Sequence, residues 1–420
     1  MNFEADKNFA IRMDHENPLK GFRDKFHLPQ NEQGEPLIYL CGNSLGLQPR
    51  QAQTYVQQEL DDWAKLGVEG HFQAKNPWMP YHEFLTLPMA EVVGAMPEEV
   101  VVMNSLTTNL HLMMVSFYRP TNTKFKILME YNAFPSDRYA VVSQIKFHGF
   151  DPKDALIELY PREGESALRT EDILRKIDEE GDQIALIMIG SINYYTGQAF
   201  DLKSITEAGH KKSCVVGFDH AHAAGNLDLG LHDNGADFGV WCSYKYLNSG
   251  PGGLSGAFVH ARHANNPDLP RFSGWWGHDK ETRFKMRPDF VPMAGAEGWQ
   301  LSNPPILPMA TLRASLEIFQ HAGIARLRTA SLKLTSYLEY LLKQIQSTRI
   351  ELITPEDPQQ RGCQLSIRVK GADKGLFGTI GRKGVIADWR EPDVIRIAPV
   401  PLYNTFEEQY RFAEILRESL

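Results

Sequence analysis

The sequence has few cysteines, and they lie far apart. The four are Cys41, Cys214, Cys242 and Cys363, and no two of them form a CxxC pair. This spacing argues against a zinc site and against a disulfide framework. We therefore expect no bound metal and a reducing, cytoplasmic compartment.

The sequence also lacks an excess of basic residues and any long apolar run. The formal net charge is -8 and no basic stripe is present, which argues against nucleic acid as a partner. The longest strongly apolar run, IALIMIG at 184–190, is far too short to cross a membrane, and the charged N-terminus contains no apolar segment of a signal peptide. The remaining composition, 42% hydrophobic, is that of a globular protein with a large core and room for a second domain.

In the middle of the chain, short β-rich runs alternate with segments of helical pattern. This alternation implies right-handed crossovers and predicts an α/β fold with a mostly parallel, seven-stranded sheet covered on both faces. Ligands of such sheets bind beyond the carboxyl ends of the strands. The predicted helices are 107–118, 135–147, 170–179 and 201–213. The predicted strands are VVVM (100–103), KILM (126–129), ALIEL (155–159), IALIMI (184–189), VVGF (215–218), FGVWC (238–242) and GAFVH (256–260).

The pattern differs toward both ends of the chain. Residues 48–66 are predicted to form a helix with Val56, Leu60 and Trp63 on one face. We divide the chain into an N-terminal segment (1–47) that packs on the small domain, a large domain (48–307) and a small α+β domain (308–420). The elements predicted in the small domain are helices at about 308–322, 325–347 and 405–418 and strands near 363–369 and 394–397.

One long stretch of the large domain has no regular pattern. Residues 263–307 are rich in Gly, Pro and Trp and show little periodicity. Irregular segments of this length are often functional, so we expect this stretch to contribute to a site.

Polar or aromatic residues follow three of the predicted strands, where a ligand would bind. Asp219 ends the strand VVGF, and His222 follows three residues later. Leu106 and Thr107 begin the helix after VVVM, where free N–H groups and the helix dipole favour a phosphate. The segment NAFPSDRYA after KILM offers an aromatic ring and a carboxylate at the start of a helix. Each feature also has an ordinary structural interpretation, as a helix cap or as Pro and Asp in a first helical turn.

A lysine, Lys245, follows the apolar run FGVWC and precedes the glycine-rich run NSGPGG. Near a strand end and beside aromatic residues, a lysine is partly desolvated and becomes a usable amine nucleophile, unless its side chain extends to water. Together the four features match the needs of pyridoxal phosphate, which are a lysine for its aldehyde, a carboxylate for its ring nitrogen, a phosphate anchor and an aromatic ring. Asp219 suits the ring nitrogen because a carboxylate there keeps that nitrogen protonated.

Nine motifs, in order from residue 40 to residue 404, resemble those of the kynureninase family. The resemblance covers nearly the whole chain and implies the aspartate-aminotransferase-like fold, fold type I, with active sites shared in a homodimer. It implies hydrolysis of L-kynurenine to anthranilate and L-alanine, and of 3-hydroxykynurenine to 3-hydroxyanthranilate and L-alanine, in tryptophan catabolism and de novo NAD biosynthesis. The motifs are LCGNSLGLQP, MNSLTTNLHL, AFPSDRYA, YYTGQAF, GFDHAHAAGN, WCSYKYLNSGPGG, GWWGHDKETRFKM, SNPPIL and IRIAPVPLYN.

The resemblance assigns residues to the cofactor. Lys245 matches the Schiff-base lysine, which acts as nucleophile and general base, and Asp219 matches the partner of the ring nitrogen. Tyr244 matches a phosphate ligand and is also a candidate catalytic proton donor. Trp275 and Asn303 match residues that reach the cofactor from the partner subunit. The other implied cofactor contacts are Leu106, Thr107, Phe134, Pro135, Ser136, Asp137 and His222.

The resemblance also assigns residues to the substrate. Arg396 in IRIAP matches the arginine that binds the α-carboxylate, which suits a guanidinium because both oxygens can be bound. Ser44 is a further implied substrate contact. The positions that match residues around the aryl ring are His71, Ser302 and Asn303. An alternative for His71 is packing against Trp78 in the same loop.

The sequence departs from the family pattern at Gly190. Members often have Ser or Thr six residues before the Thr of YTGQ, where this sequence has glycine. Either a side-chain contact near the cofactor is missing, or the neighbouring Ser191 replaces it.

Two other functions compete with this assignment. A cysteine desulfurase or selenocysteine lyase has the same fold type but needs a catalytic cysteine on a mobile loop, and Cys363 in RGCQLSIRV is typical of a buried strand residue. A cofactor-binding regulator without catalysis usually carries a DNA-binding module, for which this acidic chain has no spare segment.

The polar residues assigned to the aryl ring predict a substrate preference. A site that pairs with the extra hydroxyl of 3-hydroxykynurenine leaves buried polar groups unpaired when plain kynurenine binds. We expect a higher kcat/KM for 3-hydroxykynurenine, measured by steady-state kinetics on both substrates. A higher kcat/KM for plain kynurenine would contradict this prediction.

Overall fold

The computed structural model describes residues 2–264, 266 and 268–420. The three residues outside the described ones fall in the predicted N-terminal segment and in the predicted irregular stretch. The chain begins with helix α1 (Lys7–Glu16) and the two-residue strand β1 (Ile38–Tyr39). Three helices precede the main sheet, and the first confirms the helix predicted at 48–66: α2 (Arg50–Leu66), α3 (Gly70–Gln73) and α4 (Glu83–Val93).

The predicted seven-stranded sheet is confirmed. Its strands are β2 (Val100–Val102), β3 (Lys126–Glu130), β4 (Leu156–Leu159), β5 (Ile184–Gly190), β6 (Val215–Asp219), β7 (Phe238–Cys242) and β8 (Ser255–Val259). They lie in the order β2-β8-β7-β6-β5-β3-β4. Strand β8 runs antiparallel to both of its neighbours, and the other described pairings in this sheet are parallel. The carboxyl ends of β3, β5, β6 and β7 therefore lie at one edge.

Helices cover both faces of this sheet. Residues of β5 alternate between two hydrophobic clusters, with Ile187 and Ile189 in one and Leu186 and Met188 in the other. This burial on both sides explains the continuous apolar runs in the sequence. The helices between the strands and after β8 are α5 (Leu106–Phe117), α6 (Pro135–Phe147), α7 (Pro152–Ala155), α8 (Thr170–Glu180), α9 (Leu202–Lys211), α10 (Leu231–Asn234) and α11 (Ala261–Ala264).

The irregular stretch that follows is held by side chains. Its described part contains three short 3-10 turns, Trp275–Gly277, Arg283–Lys285 and Ala296–Trp299. The Arg283 guanidinium lies 4.3 Å from the centre of the Trp276 ring and donates a hydrogen bond of 2.6 Å to the Trp276 carbonyl. Because Trp276 and Arg283 are both buried, the segment has a fixed path without regular secondary structure.

The C-terminal part of the chain carries a second, four-stranded antiparallel sheet. Its elements are α12 (Ile306–Ala322), α13 (Ile324–Gln344), β9 (Ile350–Leu352), β10 (Leu365–Val369), α14 (Lys374–Arg382), β11 (Val385–Ile386), β12 (Asp388–Arg390), β13 (Val394–Ile397) and α15 (Phe406–Ser419). The order of this sheet is β12-β13-β10-β9, and β11 pairs in parallel with β1. Helix α1 packs on α15, whereas α12 packs on α2 and α4. No helix in the described part of the chain has the length and apolarity needed to cross a membrane.

A buried carboxylate on α2 fixes the segment that follows this helix. Glu59 is 1% exposed and accepts hydrogen bonds from the Trp78 indole at 2.9 Å, the Tyr81 hydroxyl at 3.1 Å and the Asn76 amide at 2.9 Å. The predicted apolar face of α2 is only partly buried, because Trp63 is 62% exposed. The segment after α2 is thus held by hydrogen bonds to the polar Glu59, which a hydrophobic pattern cannot predict.

Replacing Glu59 tests how far this cluster stabilises the fold. Glu59→Leu removes the acceptor for three donors, and each unsatisfied buried donor costs about 1–3 kcal/mol. We expect the free energy of unfolding to fall by about 3 kcal/mol or more. Glu59→Gln keeps one acceptor oxygen and should be less destabilised than Glu59→Leu. Urea denaturation followed by circular dichroism measures both variants, and a Leu variant as stable as the wild type would contradict this account.

Candidate active site

The carboxyl ends of the parallel strands and the starts of α5 and α6 surround a cavity of about 140 Å³. The sequence-predicted residues that line it are Leu106, Thr107, Phe134, Ser136, Asp137, Asp219, His222, Tyr244 and Lys245. Five further lining residues are not among the predicted contacts, although Gly190 was expected near the cofactor; they are Glu130, Gly190, Ile192, Tyr194 and Ala221. Most of the predicted cofactor contacts are therefore brought together within one chain.

The backbone at Lys245 is packed closely against Gly46, whereas its side-chain amine has no partner among the described residues. Lys245 lies three residues beyond the end of β7 and is 9% exposed. The Gly46 N–H donates a hydrogen bond of 2.8 Å to the Tyr244 carbonyl, and a Cβ added at Gly46 would lie 2.3 Å from the Lys245 carbonyl oxygen. The Lys245 Nζ atom is 5.6 Å from the centre of the Phe134 ring and makes no hydrogen bond or ion pair with a described residue. The amine is thus available to a ligand.

Two carboxyl groups, Asp219 and Asp137, lie side by side in the cavity. Burial raises the pKa of both. The charge of Asp219 and its hydrogen bond with Asp137 raise the pKa of Asp137 further. The same hydrogen bond and the charge of Lys245 oppose the rise in the pKa of Asp219, which also accepts the Ala221 N–H at 2.7 Å. The pKa of Asp137 is therefore raised further than that of Asp219, and Asp219 is the more readily ionised of the two.

The starts of α5 and α6 meet at one end of the cavity. The Thr107 and Ser136 hydroxyl oxygens are 2.8 Å apart. Neither helix has a side-chain cap, since Ser105 and Phe134 make no capping hydrogen bond. Pro135, which has no N–H, is the first residue of α6 and does not line the cavity. Two hydroxyls beside two positive helix ends are suited to a phosphate group.

Tyr244 and His222 are both neutral in this environment. Burial raises the pKa of Tyr244, so its phenol keeps its proton at neutral pH. Burial and the charge of Lys245 hold the pKa of His222 well below its usual value. Its buried Nδ1 atom has no hydrogen-bond partner among the described residues. Tyr244 can therefore donate a hydrogen bond, and the neutral His222 ring lines the cavity with its buried Nδ1 atom unpaired among the described residues.

These features fit pyridoxal phosphate. A free lysine amine, an ionised carboxylate, a phosphate site and an aromatic ring are the groups that this cofactor requires. The buried Oδ1 atom of Asp137 also lacks a partner, so two polar atoms of lining residues remain for a bound molecule to satisfy.

The sequence is similar to that of known kynureninases over its whole length. Residues 327–416 match the family described as the kynureninase C-terminal domain. A kynureninase of Myxococcus xanthus is 60% identical over 414 residues, which cover 99% of this chain and 97% of the relative. One of Nematostella vectensis is 49% identical, with 98% of this chain and 93% of the relative covered. The chain belongs to the kynureninase family.

Solved structures agree with the predicted fold. The cysteine desulfurase CsdA of Escherichia coli has a TM-score of 0.76 and 16% identity, over 96% of this chain and 98% of that one. The cystine C–S lyase C-DES, solved with its product cysteine persulfide, has a TM-score of 0.76 and 17% identity, over 90% and 97%. At these identities the likeness shows the fold, which is fold type I of the pyridoxal-phosphate enzymes. Kynureninases use pyridoxal phosphate, so the predicted cofactor is confirmed.

The site of this kynureninase family member differs from what a desulfurase requires. The described residues that line the cavity include no cysteine. Cys363 is buried, its sulfur lies 3.3 Å from the Ser331 hydroxyl, and burial raises its pKa to about 11. It precedes β10 by two residues and is buried as expected, although not within the strand itself.

Arg396 and Ser44 come together beside the cavity rather than in its wall. Arg396 is 1% exposed, donates a hydrogen bond of 2.6 Å to the Tyr194 carbonyl and pairs with Asp388. The Ser44 hydroxyl donates to the same carboxylate at 2.6 Å. The Arg396 guanidinium lies 5.8 Å from the centre of the Tyr194 ring, and this ring lines the cavity. Asp388, which was not predicted from the sequence, therefore binds the side chains of both predicted substrate contacts.

Besides Pro135, Arg396 and Ser44, four more predicted residues do not line the cavity of the single chain. His71 packs against Trp78, with ring centres 5.4 Å apart, and its Nδ1 lies 2.9 Å from the Val68 carbonyl. Trp275 is 41% exposed and meets the Phe284 ring edge to face. The other two, Ser302 and Asn303, are exposed.

The neighbour of Gly190 does not replace a missing side chain. Ser191 is fully buried, its hydroxyl lies 2.5 Å from the Nδ1 atom of His220, and it is not among the described residues that line the cavity. Gly190 itself lines the cavity, and its N–H donates to the Glu130 carboxyl group at 3.2 Å. Beside Gly190 the cavity wall thus carries the carboxyl group of Glu130 from strand β3, and no serine or threonine side chain at position 190.

Proposed function

We propose that this protein hydrolyses L-kynurenine to anthranilate and L-alanine, and 3-hydroxykynurenine to 3-hydroxyanthranilate and L-alanine. The products place it in tryptophan catabolism and de novo NAD biosynthesis. Water is the co-reactant, and the Cβ–Cγ bond next to the γ-carbonyl is the bond that breaks. The observation that carries the proposal is the free Lys245 amine beside the Asp219 carboxylate and the Thr107–Ser136 hydroxyl pair in one cavity.

In this proposal each end of the cavity binds one part of the cofactor. When bound, pyridoxal phosphate withdraws electrons from the substrate and acidifies its Cα proton. Asp219 keeps the ring nitrogen protonated, and Phe134 contacts the ring. Thr107, Ser136 and the two helix ends bind the phosphate. The remaining predicted cofactor contacts within the chain are Leu106, Pro135, Asp137 and His222.

Lys245 and Tyr244 carry the proton transfers. The Lys245 amine has no competing partner among the described residues, so it can bond to the cofactor and, once released, accept the Cα proton. The Tyr244 phenol is protonated and lines the same cavity, which supports a role as proton donor beside its role as phosphate ligand.

The substrate carboxylate is bound from the small domain. Arg396 presents a guanidinium next to the cavity-lining Tyr194 ring, and Asp388 and the Tyr194 carbonyl fix its orientation. A guanidinium held in this way loses little conformational freedom when it binds a carboxylate. Ser44 hydrogen-bonds to the same Asp388 and completes this side of the substrate site.

We propose that the active enzyme is a homodimer with shared sites. Four of the predicted contacts that do not line the cavity, His71, Trp275, Ser302 and Asn303, lie on residues 60–85 and 272–303. A Lys280–Glu83 ion pair of 2.8 Å joins these two segments. Exposed large apolar side chains are frequent on the same two segments, which is typical of an interface. These side chains are Trp63, Val68, Phe72, Phe272, Trp275, Phe284, Met286 and Val291. In the dimer, Trp275 and Asn303 would complete the partner's cofactor site, and His71, Ser302 and Asn303 would meet the aryl ring.

We also propose the division into an N-terminal segment and two domains, and a cytoplasmic location. The β1–β11 pairing and the contact between α1 and α15 support an N-terminal segment (1–47) that packs on the small domain (308–420). Helix α12 packs on α2 and α4, so it forms the connection to the large domain (48–307). All four cysteines are separate thiols, which supports a reducing, cytoplasmic location.

The appearance of anthranilate tests the activity. Purified protein supplied with pyridoxal phosphate and L-kynurenine should produce anthranilate fluorescence together with one alanine per turnover. Lys245→Ala should lose at least about a thousandfold in kcat, because both the bond to the cofactor and the general base are removed. Lys203→Ala, which changes an exposed lysine on α9, is the matched control and should keep full activity. Full turnover by Lys245→Ala would refute the proposed roles.

Mixing two inactive variants tests the shared sites. Lys245→Ala lacks the amine, and a Trp275→Ala, Asn303→Ala double variant lacks the residues assigned to the partner's site. Each variant alone should be inactive, but a hybrid dimer has one complete site. Co-expression in equal amounts should therefore restore about a quarter of wild-type activity. Isolated hybrid dimers without activity, or a wild-type enzyme that is active as a monomer, would show that the sites are not shared.

A further inference from the structure

Glu130 is a buried carboxyl group in the cavity wall for which the proposed reaction gives no role. It is the last residue of β3, is 3% exposed and lines the cavity. Its side chain accepts hydrogen bonds from backbone N–H groups, namely that of Gly190, at 3.2 and 3.3 Å from the two oxygens, and its own. No lysine, arginine or histidine forms an ion pair with it among the described residues. A buried carboxylate with this surrounding would be poorly stabilised.

The groups that face Glu130 add to this cost. Asp219 at the end of β6 and Asp137 on α6 are carboxyl groups in the same cavity, and Lys245 is the one lysine or arginine among the described lining residues. The other titratable lining groups, His222, Tyr194 and Tyr244, have shifts in pKa that favour their neutral forms. Three ionised carboxylates would face at most one positive charge and leave at least two buried charges uncompensated. This excess favours the protonated form of the carboxyl groups beyond one.

The glycine at the end of β5 makes room for this carboxyl group. Gly190 lies next to Asp219 in the sheet register, and a Cβ added to it would come within 3.0 Å of the Glu130 Oε1 atom. The absence of a side chain at position 190 thus allows the Glu130 carboxyl group to reach the cavity wall. Burial and the nearby Asp219 charge raise the pKa of Glu130 to about 8, in agreement with the charge count.

We infer that Glu130 is a further positioning residue of the cofactor site, which acts as a neutral acid and leaves Asp219 as the single carboxylate that faces the cofactor. This inference rests on the proposed function only in that it takes the cavity to bind pyridoxal phosphate. The protonated carboxyl group adds no charge beside Asp219, so the attraction of Asp219 for a protonated ring nitrogen is kept without extra repulsion of the phosphate. Its O–H is in addition a donor with no described acceptor.

A neutral Glu130 should make the affinity for the cofactor depend on pH. The cofactor brings a phosphate charge and excludes water, so its binding makes ionised Glu130 less favourable and raises the pKa of Glu130 further. By linkage, affinity is unaffected while Glu130 is protonated in both states and falls as the pH rises above the pKa of the free protein. The loss of affinity should thus begin near pH 8.

Equilibrium dialysis of pyridoxal phosphate against three forms of the protein tests this inference. Glu130→Gln mimics the neutral acid, and Glu158→Gln removes a half-buried carboxyl group on the neighbouring strand β4, outside the cavity. At about pH 7 all three should bind within about threefold of one another. Between about pH 7 and pH 10, wild type and Glu158→Gln should lose roughly tenfold more affinity than Glu130→Gln.

Two results would overturn the inference. One is a loss of about tenfold or more in affinity for Glu130→Gln at about pH 7, because it would mean that an ionised Glu130 is required. The other is the same pH dependence in Glu130→Gln and wild type.

Infrared difference spectra of the wild-type protein give an independent test that needs no variant and no cofactor. With carbon-13-labelled glutamate, a protonated glutamate carbonyl band should be present at about pH 7 and lost by about pH 10. Absence of this band at neutral pH would overturn the inference even if a variant failed to fold. A wild-type protein that binds the cofactor but produces no anthranilate would instead refute the proposed reaction and leave this inference standing.

Discussion

Strands β3, β5, β6 and β7 end at one edge of a parallel sheet, and the whole site depends on this arrangement. Parallel strands bring residues that are far apart in sequence to the same edge, because each connection returns the chain to the opposite side. Asp219 and Glu130 are the last residues of their strands, and Lys245 follows shortly after β7. The continuous apolar strands, buried on both faces, keep these ends fixed relative to one another.

Charge balance is the second constraint on the cavity. In a buried space, one ammonium group supports about one carboxylate, and the remaining carboxyl groups keep their protons. Asp137 is hydrogen-bonded to Asp219, and the Glu130 carboxyl group has only backbone N–H donors, from Gly190 and from Glu130 itself. On the proposed charge balance, the cavity presents one negative charge, at Asp219, beside the proposed position of the cofactor's ring nitrogen. The neutral His222 and Tyr244 add hydrogen-bonding groups without changing this balance.

The small domain and the long irregular stretch have different parts in the proposed site. Arg396, paired with Asp388 on the second sheet, places a guanidinium beside the cavity of the same chain. Trp275 and Asn303 lie away from the cavity of their own chain, on a stretch fixed by buried tryptophans and Arg283. A stretch that is ordered but presents aromatic residues outward is suited to a partner surface, and this supports the proposed shared sites.

The sequence by itself determined the main sheet, the cofactor and most of the cavity wall. Apolar runs of strand length and the residues directly after them are local signals, so Asp219 and Lys245 could be placed at strand ends before any contact was known. Glu130, Asp388 and Glu59 could not be recognised in this way, since a single acidic residue has the same appearance in a sequence whether it is solvated or buried. Only the tertiary structure decided which donors and charges surround each of them, and for a carboxyl group those surroundings determine its protonation and hence its role.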